Sequence, residues 1–239
     1  TNKKAKELAQ QGCEHGILVT ADAQEAGVGR RGRSWSSEKG TGIYMSMVVR
    51  PQMETEQVSM LTLVAALAVA KASESMGIYE KQIPCIKWPN DLVLHKKKIC
   101  GILTELSLIG TSIDYVIIGI GINVSNQMFP EEIKETASSI LLETGQNIDR
   151  ERFIVEIWKC FDIYYKLFLR TQDFSLLKEE YEIYLVNKYQ NVKVLDPAGA
   201  YEGTAIGITN KGELIVDTGE EQRFVSSGEV SVRGIYGYV

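Results

Sequence analysis

The run Ile118-Gly119-Ile120-Gly121-Ile122-Asn123 constrains this 239-residue chain more than any other stretch. Bulky β-branched residues alternating with the smallest ones follow the two-residue period of a strand, not the 3.6-residue period of a helix. The isoleucines therefore share one face, which a core must cover, and Gly119, Gly121 and Asn123 share the other. Two missing side chains leave that second face bare. Close packing of a neighbouring element would fill it, but the Asn123 amide closing the row favours the floor of a ligand slot.

The rest of the chain reads as a sheet with helices around this strand. Strand-like runs occur at residues 17–20, 43–49, 85–88, 92–94, 99–108 and 115–124, with a basic turn at 95–97. Val58, Leu61, Val64, Ala65, Ala68 and Ala72 recur at helical spacing, which predicts a helix over 57–76 packed on the sheet. Residues 131–140 read as partly helical and 174–186 as a helix. Residues 150–169 carry the aromatic stripe Phe153, Ile157, Phe161, Tyr164, Tyr165 and Phe168, which is core. From residue 189 short strands at 192–195, 201–208, 213–216, 222–225 and 230–233 alternate with turns, the pattern of a small closed barrel. The expected class is α+β, a mixed sheet with packed helices over residues 1–188 and a small β-barrel over 189–239.

Composition removes several alternatives. With 44% hydrophobic residues the chain can bury a sizeable core, and its net charge of -5 argues against generic nucleic-acid binding. Cys13, Cys85, Cys100 and Cys160 lack metal-ligand or disulfide spacing, so a reduced, cytoplasmic protein is the simpler reading. His15 and His95 sit in turns and read as solvated. No stretch reads as long and apolar enough to cross a membrane. The abrupt entry into a helical pattern at Thr1-Asn2 leaves room for residues upstream.

Three segments have the chemistry of a site. Gly27-Val28-Gly29-Arg30-Arg31-Gly32 matches the G-x-G-x-x-G dinucleotide pattern, but the following residues 34–40 are poor helix formers, so that reading fails. What remains is a flexible backbone with Arg30, Arg31 and Arg33, suited to an anion or simply a solvated loop. Lys87-Trp88-Pro89-Asn90-Asp91 presents an amide and a carboxylate at a strand end, for a magnesium ion, a substrate amine, or only a turn. Lys98 ends the run Lys96-Lys97-Lys98 against an apolar strand, where its ammonium can project into a cleft.

Taken in order, Gln24 to Trp35, Lys87 to Asp91, Lys98 with Gly101-Ile102-Leu103, Gly119 to Asn123, and Gly228-Glu229-Val230-Ser231-Val232-Arg233 resemble the motif series of biotin–protein ligases. The resemblance implies a catalytic domain related to class II aminoacyl-tRNA synthetases and lipoate ligases, followed by an SH3-like barrel. It implies biotin–[acetyl-CoA-carboxylase] ligase activity: biotin and Mg-ATP give biotinoyl-5'-AMP, and a lysine of a biotin carboxyl carrier protein or domain, of acetyl-CoA carboxylase or a related carboxylase, takes the acyl group. ATP and Mg²⁺ are the implied cofactors.

By the same resemblance Thr1, Asn2 and Gln24 hold the ureido end of biotin, and the loop Gly27, Val28, Gly29 and Arg30 covers it. Gly101, Gly119 and Gly121 form the floor. Lys98 meets the carboxylate and then the acyl phosphate. Arg30, Arg33, Trp35, Asn90 and Asn123 serve the adenylate, Asp91 orients the acceptor amine and takes its proton, and Asn90 with Asp91 is the candidate metal pair.

Two departures stand out: Val28 replaces a residue that is basic in many members, and the family's usual Ser ahead of Thr1 is absent. No DNA-binding helix-turn-helix precedes the catalytic region in this chain, so neither nucleic acid nor membrane is an expected partner; a homodimer is compatible with the resemblance. The competing readings are a lipoate or octanoate ligase and, from another class, a non-enzymatic module binding nucleic acid through the Arg-Gly loop. Against the second stand the acidic balance and the lack of aromatics between the arginines.

Overall fold

The computed structural model describes residues 1–79, 83–196, 199–227 and 231–234. The Ile/Gly run lies in β8 (Ser112–Asn123), third from one edge of a six-stranded sheet. Its companions are β1 (Ile17–Ala21), β4 (Gly42–Val49), β5 (Cys85–Lys87), β6 (Asp91–Leu94) and β7 (Lys97–Ile109), in the order β1-β4-β8-β7-β6-β5. All five pairings are antiparallel; among the described residues parallel character enters only as isolated bridges, Ile86 to Leu185 and Lys98 to Ala137. His95 and Lys96, with φ of 47° and 67°, turn β6 into β7 within two residues, so Lys97 belongs to the strand rather than to the basic turn.

The isoleucine face is covered as its pattern demands. Ile118, Ile120 and Ile122 join Met45 and Met47 in the main core with α2 (Met60–Ser75). That helix is buried nearly all round, because α4 (Arg150–Thr171) lays its aromatic stripe over the side that the sheet leaves open. Residues 55–75 are in fact long and apolar enough to cross a membrane, which corrects the sequence reading, yet 78% of the apolar window is buried. Its partners are the sheet and α4, so it is a core helix.

On the opposite face, α1 (Asn2–Gln10) packs Ala5 and Ala9 against Val48, Tyr115 and Ile117. It covers only part of that face and delivers its N-terminal residues to the edge of the glycine patch. The hairpin β2 (Gly27–Val28) and β3 (Ser34–Trp35) covers the rest. A strand, not a helix, follows Gly32, in keeping with rejection of the dinucleotide fingerprint.

Residues 131–139 contain no helix; α3 (Ile140–Thr144) starts only where Ser139 accepts a bond from the Leu142 amide. After α5 (Lys178–Tyr184), the strands β9 (Asn191–Leu195), β10 (Tyr201–Ile208), β11 (Leu214–Asp217), β12 (Gln222–Val225) and β13 (Ser231–Gly234) form a small antiparallel sheet ordered β12-β11-β10-β9-β13.

Candidate active site

Strand register brings distant residues into rows across the bare face. One row runs Tyr44, Gly121, Gly101, Asp91, and the next runs Ser46, Gly119, Leu103. The glycine patch is partly filled from above. A Cβ at Gly121 would lie 2.7 Å from the Trp35 indole, one at Gly101 2.9 Å from it, and one at Gly119 would collide with the Asn2 amide. Above this layer remains a cavity of about 290 Å³. Both readings of the bare face thus hold, close packing below and a floor above.

The charged groups at this floor constrain one another. Lys98 Nζ lies 2.6 Å from Asp91 Oδ1 and 5.3 Å from the centre of the Trp35 ring, so an anion and a π-face hold one ammonium. Its backbone is fixed independently, through bonds from its amide to the Thr136 carbonyl and from the Ser138 amide to its own carbonyl. Arg30 donates to Asn90 Oδ1 at 3.0 Å and to the Ser227 carbonyl at 2.7 Å. Burial lowers the Arg30 guanidinium below its ordinary value, Asp91 opposes this, and the group stays charged at neutral pH. Asn90 in turn donates to the Ile102 carbonyl at 3.1 Å.

At the other end, the Thr1 hydroxyl donates to Gln24 Oε1 at 3.2 Å, and Gln24 Nε2 donates to Ser37 at 2.9 Å. Thr1 occupies the N-cap position of α1 without a side-chain cap bond, since its hydroxyl is turned to Gln24.

Most residues singled out from sequence therefore meet. Thr1, Asn2, Gln24 and Gly119 line one end of the cavity, Lys98, Gly101, Gly121 and Asn90 the other, and Val28, Gly29, Arg30 and Trp35 overhang it. Asp91 reaches it through Lys98. Three others do not line it either. Gly27 packs against the Trp35 carbonyl and Ser37, and Arg33 is exposed beyond a turn reversed by the positive φ of Arg31. Asn123 is buried with its amide donating to the Ser138 carbonyl at 3.0 Å. Of the C-terminal motif, residues 228–230 lie outside the described residues. Sequence reasoning missed Glu105, Lys6 and Ser46 at this face; Glu105 was legible, because it follows Gly101 and Leu103 at the strand period.

Residues 1–123 match the family model described as "Biotin/lipoate A/B protein ligase family", and residues 190–233 match "Biotin protein ligase C terminal domain". The "Bifunctional ligase/repressor BirA" of Bacillus subtilis (strain 168) is 38% identical over 235 residues, 97% of this chain and 71% of that protein. The "Biotin--[acetyl-CoA-carboxylase] ligase" of Paracoccus denitrificans is 29% identical over 237 residues, 98% of this chain and 97% of its own. Among solved structures, the biotin protein ligase of Aquifex aeolicus in complex with biotin and ATP superposes with a TM-score of 0.83 at 33% identity, covering 96% of this chain and 94% of that one. The chain belongs to the biotin protein ligase family.

As a biotin protein ligase it is an enzyme, and the cavity is its candidate active centre. A magnesium ion does not fit Asn90 and Asp91 as they stand. The Asn90 oxygen accepts from Arg30, the Asp91 carboxylate is paired with Lys98, and both neighbours are cations. No group of three or more acidic, His or Cys side chains suited to a metal exists among the described residues. Magnesium typically binds through one or two carboxylates together with substrate phosphates, and this pair offers no free carboxylate.

Proposed function

We propose that the chain condenses biotin with ATP to biotinoyl-5'-AMP and then transfers the acyl group to a lysine of a biotin carboxyl carrier protein or domain. The observation that carries this reading is Lys98. Its ammonium is aimed by Asp91 over a glycine floor, with Arg30 on the overhanging loop, where a carboxylate and a phosphate would have to meet. A carboxylate oxygen of biotin attacks the α-phosphate, the bond to pyrophosphate breaks, and a mixed anhydride forms. Two anions approach in this step, and preorganised cations stabilise the charge that gathers between them. In the second step the carrier lysine amine attacks the acyl carbon, AMP departs, and one proton leaves the amine. Asp91 is the nearby carboxylate suited to accept it once its pair with Lys98 opens.

Thr1, Asn2 and Gln24 supply hydroxyl and amide groups for a cyclic urea. The names and bound ligands of the relatives agree with this assignment. A dithiolane or alkyl acid would strand those polar groups, which disfavours lipoate and octanoate.

Exchange of labelled pyrophosphate into ATP tests the reading. Biotin is expected to support exchange and lipoate is not; Lys98→Ala should slow it by about 10²-fold, the cost typical of losing one preorganised charge-stabilising group. Exchange with lipoate alone would reassign the substrate, and exchange with neither acid would remove the adenylation reading.

A further inference from the structure

Glu105 is a carboxylate on the cavity wall that the chemistry above does not use. Its Oε2 accepts from Asn2 Nδ2 at 2.6 Å, and its Oε1 accepts from Lys6 Nζ at 3.2 Å. The other end of the Asn2 amide is held as well, its Oδ1 accepting from the Ser46 hydroxyl at 2.6 Å.

The two ends of an asparagine amide have nearly the same shape and opposite hydrogen-bonding character. A serine hydroxyl cannot choose between them, because it donates to an oxygen or accepts from an NH₂ group equally well. An ionised carboxylate only accepts. With Glu105 at one end and Ser46 at the other, the NH₂ group must turn to Glu105 and the oxygen to Ser46. This leaves one amide hydrogen and one oxygen lone pair of Asn2 for a ligand, in fixed positions.

We infer that Glu105 is a positioning residue: it locks the Asn2 amide in the single orientation that the cyclic-urea end of the substrate meets. The inference deepens the reading of this cavity as a biotin site and rests on it. Lys6 pairs with the second oxygen of this carboxylate, and Gly119 leaves the space in which the amide lies.

Titration calorimetry of the full chain with biotin alone, without ATP, tests the inference, with steady-state kinetics alongside. Glu105→Ala is expected to weaken biotin binding by about tenfold or more, the scale of a lost hydrogen bond to a charged group. Glu105→Gln keeps the shape but donates as readily as it accepts, so it should weaken binding several-fold. In both variants KM for biotin rises, while kcat at saturating biotin and KM for ATP stay within about twofold of the parent. In an Asn2→Ala background, Glu105→Ala should add less than about twofold, since no amide is left to orient.

Glu105→Gln with unchanged biotin affinity overturns the inference, whatever Glu105→Ala does, because a packing role predicts that result. A matching rise in KM for ATP, or full additivity with Asn2→Ala, also overturns it. Parent protein that binds no biotin overturns the biotin reading itself and this inference with it. Binding by the parent together with an unaffected Glu105→Gln removes Glu105 alone.

Discussion

A single added methyl group tests the floor of the site at the residue scale. At Gly119 a Cβ would fall on the Asn2 amide oxygen, and Asn2 cannot retreat without giving up Ser46 and Glu105. Gly119→Ala is therefore expected to raise KM for biotin at least tenfold, on the order of one lost charged hydrogen bond. Overpacking of this kind costs about 1–3 kcal/mol, which lowers the thermal midpoint by several degrees at this chain length. A normal KM with a lowered midpoint would show that the glycine serves packing alone. Strand parity made this residue legible in the sequence, because a two-residue period needs no knowledge of the partner strands. The same parity pointed to Asn123, whose place off the cavity was not legible, since the carbonyl that takes its amide comes from Ser138, fifteen residues downstream. The outward placement of Arg33 was equally hidden: the left-handed backbone at Arg31 that turns the chain leaves no mark in residue type.

At the scale of elements, long periodic segments were readable and short or doubly covered ones were not. The strands of both sheets were anticipated to within a residue or a few, whereas β2 and β3 have two residues each and no period to detect. Apolar spacing on α2 suggested a wide face; its burial on nearly all sides depends on α4, which begins 75 residues after α2 ends. The contacts joining these helices to α5 include polar ones. Glu74 accepts from Lys71 at 2.7 Å and from Tyr184 at 2.8 Å, and Tyr164 donates to Glu180 at 2.6 Å. The Lys71 bond, then the Tyr184 bond, hold the Glu74 carboxyl below its ordinary value. A carboxylate held low stabilises the fold above its ordinary value and loses that contribution as pH falls through the lowered one. Thermal midpoints should therefore drop as pH falls below the ordinary carboxylate range, and Glu74→Gln should make that drop shallower. An unchanged slope in the variant would show that the helix layer takes its acid sensitivity from other groups.

Over the whole molecule, the six-stranded sheet and the small C-terminal sheet are joined both at the site and beside it. Trp88, buried in the core, donates its indole hydrogen to the Gly212 carbonyl at 3.0 Å and its backbone amide hydrogen to Asn187 Oδ1 at 2.8 Å. Two residues later Asn90 accepts from Arg30, and Arg30 also donates to the carbonyl of Ser227. Glu182 of α5 adds a third link by accepting from the Ile208 amide of β10 at 3.0 Å. A sheet of this size is only marginally stable by itself, so these links make its folding depend on the larger part. One cooperative thermal transition is the expected behaviour, without a separate melt for residues 191–234. Trp88→Phe removes the indole donor and strands a carbonyl in the dry interior, at a cost of about 1–3 kcal/mol. Because Trp88 leads directly into Pro89-Asn90, the loosened sheet should also free Arg30 from Ser227. Calorimetry of Trp88→Phe is therefore expected to show a single, lowered transition, accompanied by release of more of the proposed biotinoyl-5'-AMP into solution. Two separated transitions in the parent protein would mean that the C-terminal sheet folds on its own and that these links do not couple it to the larger part.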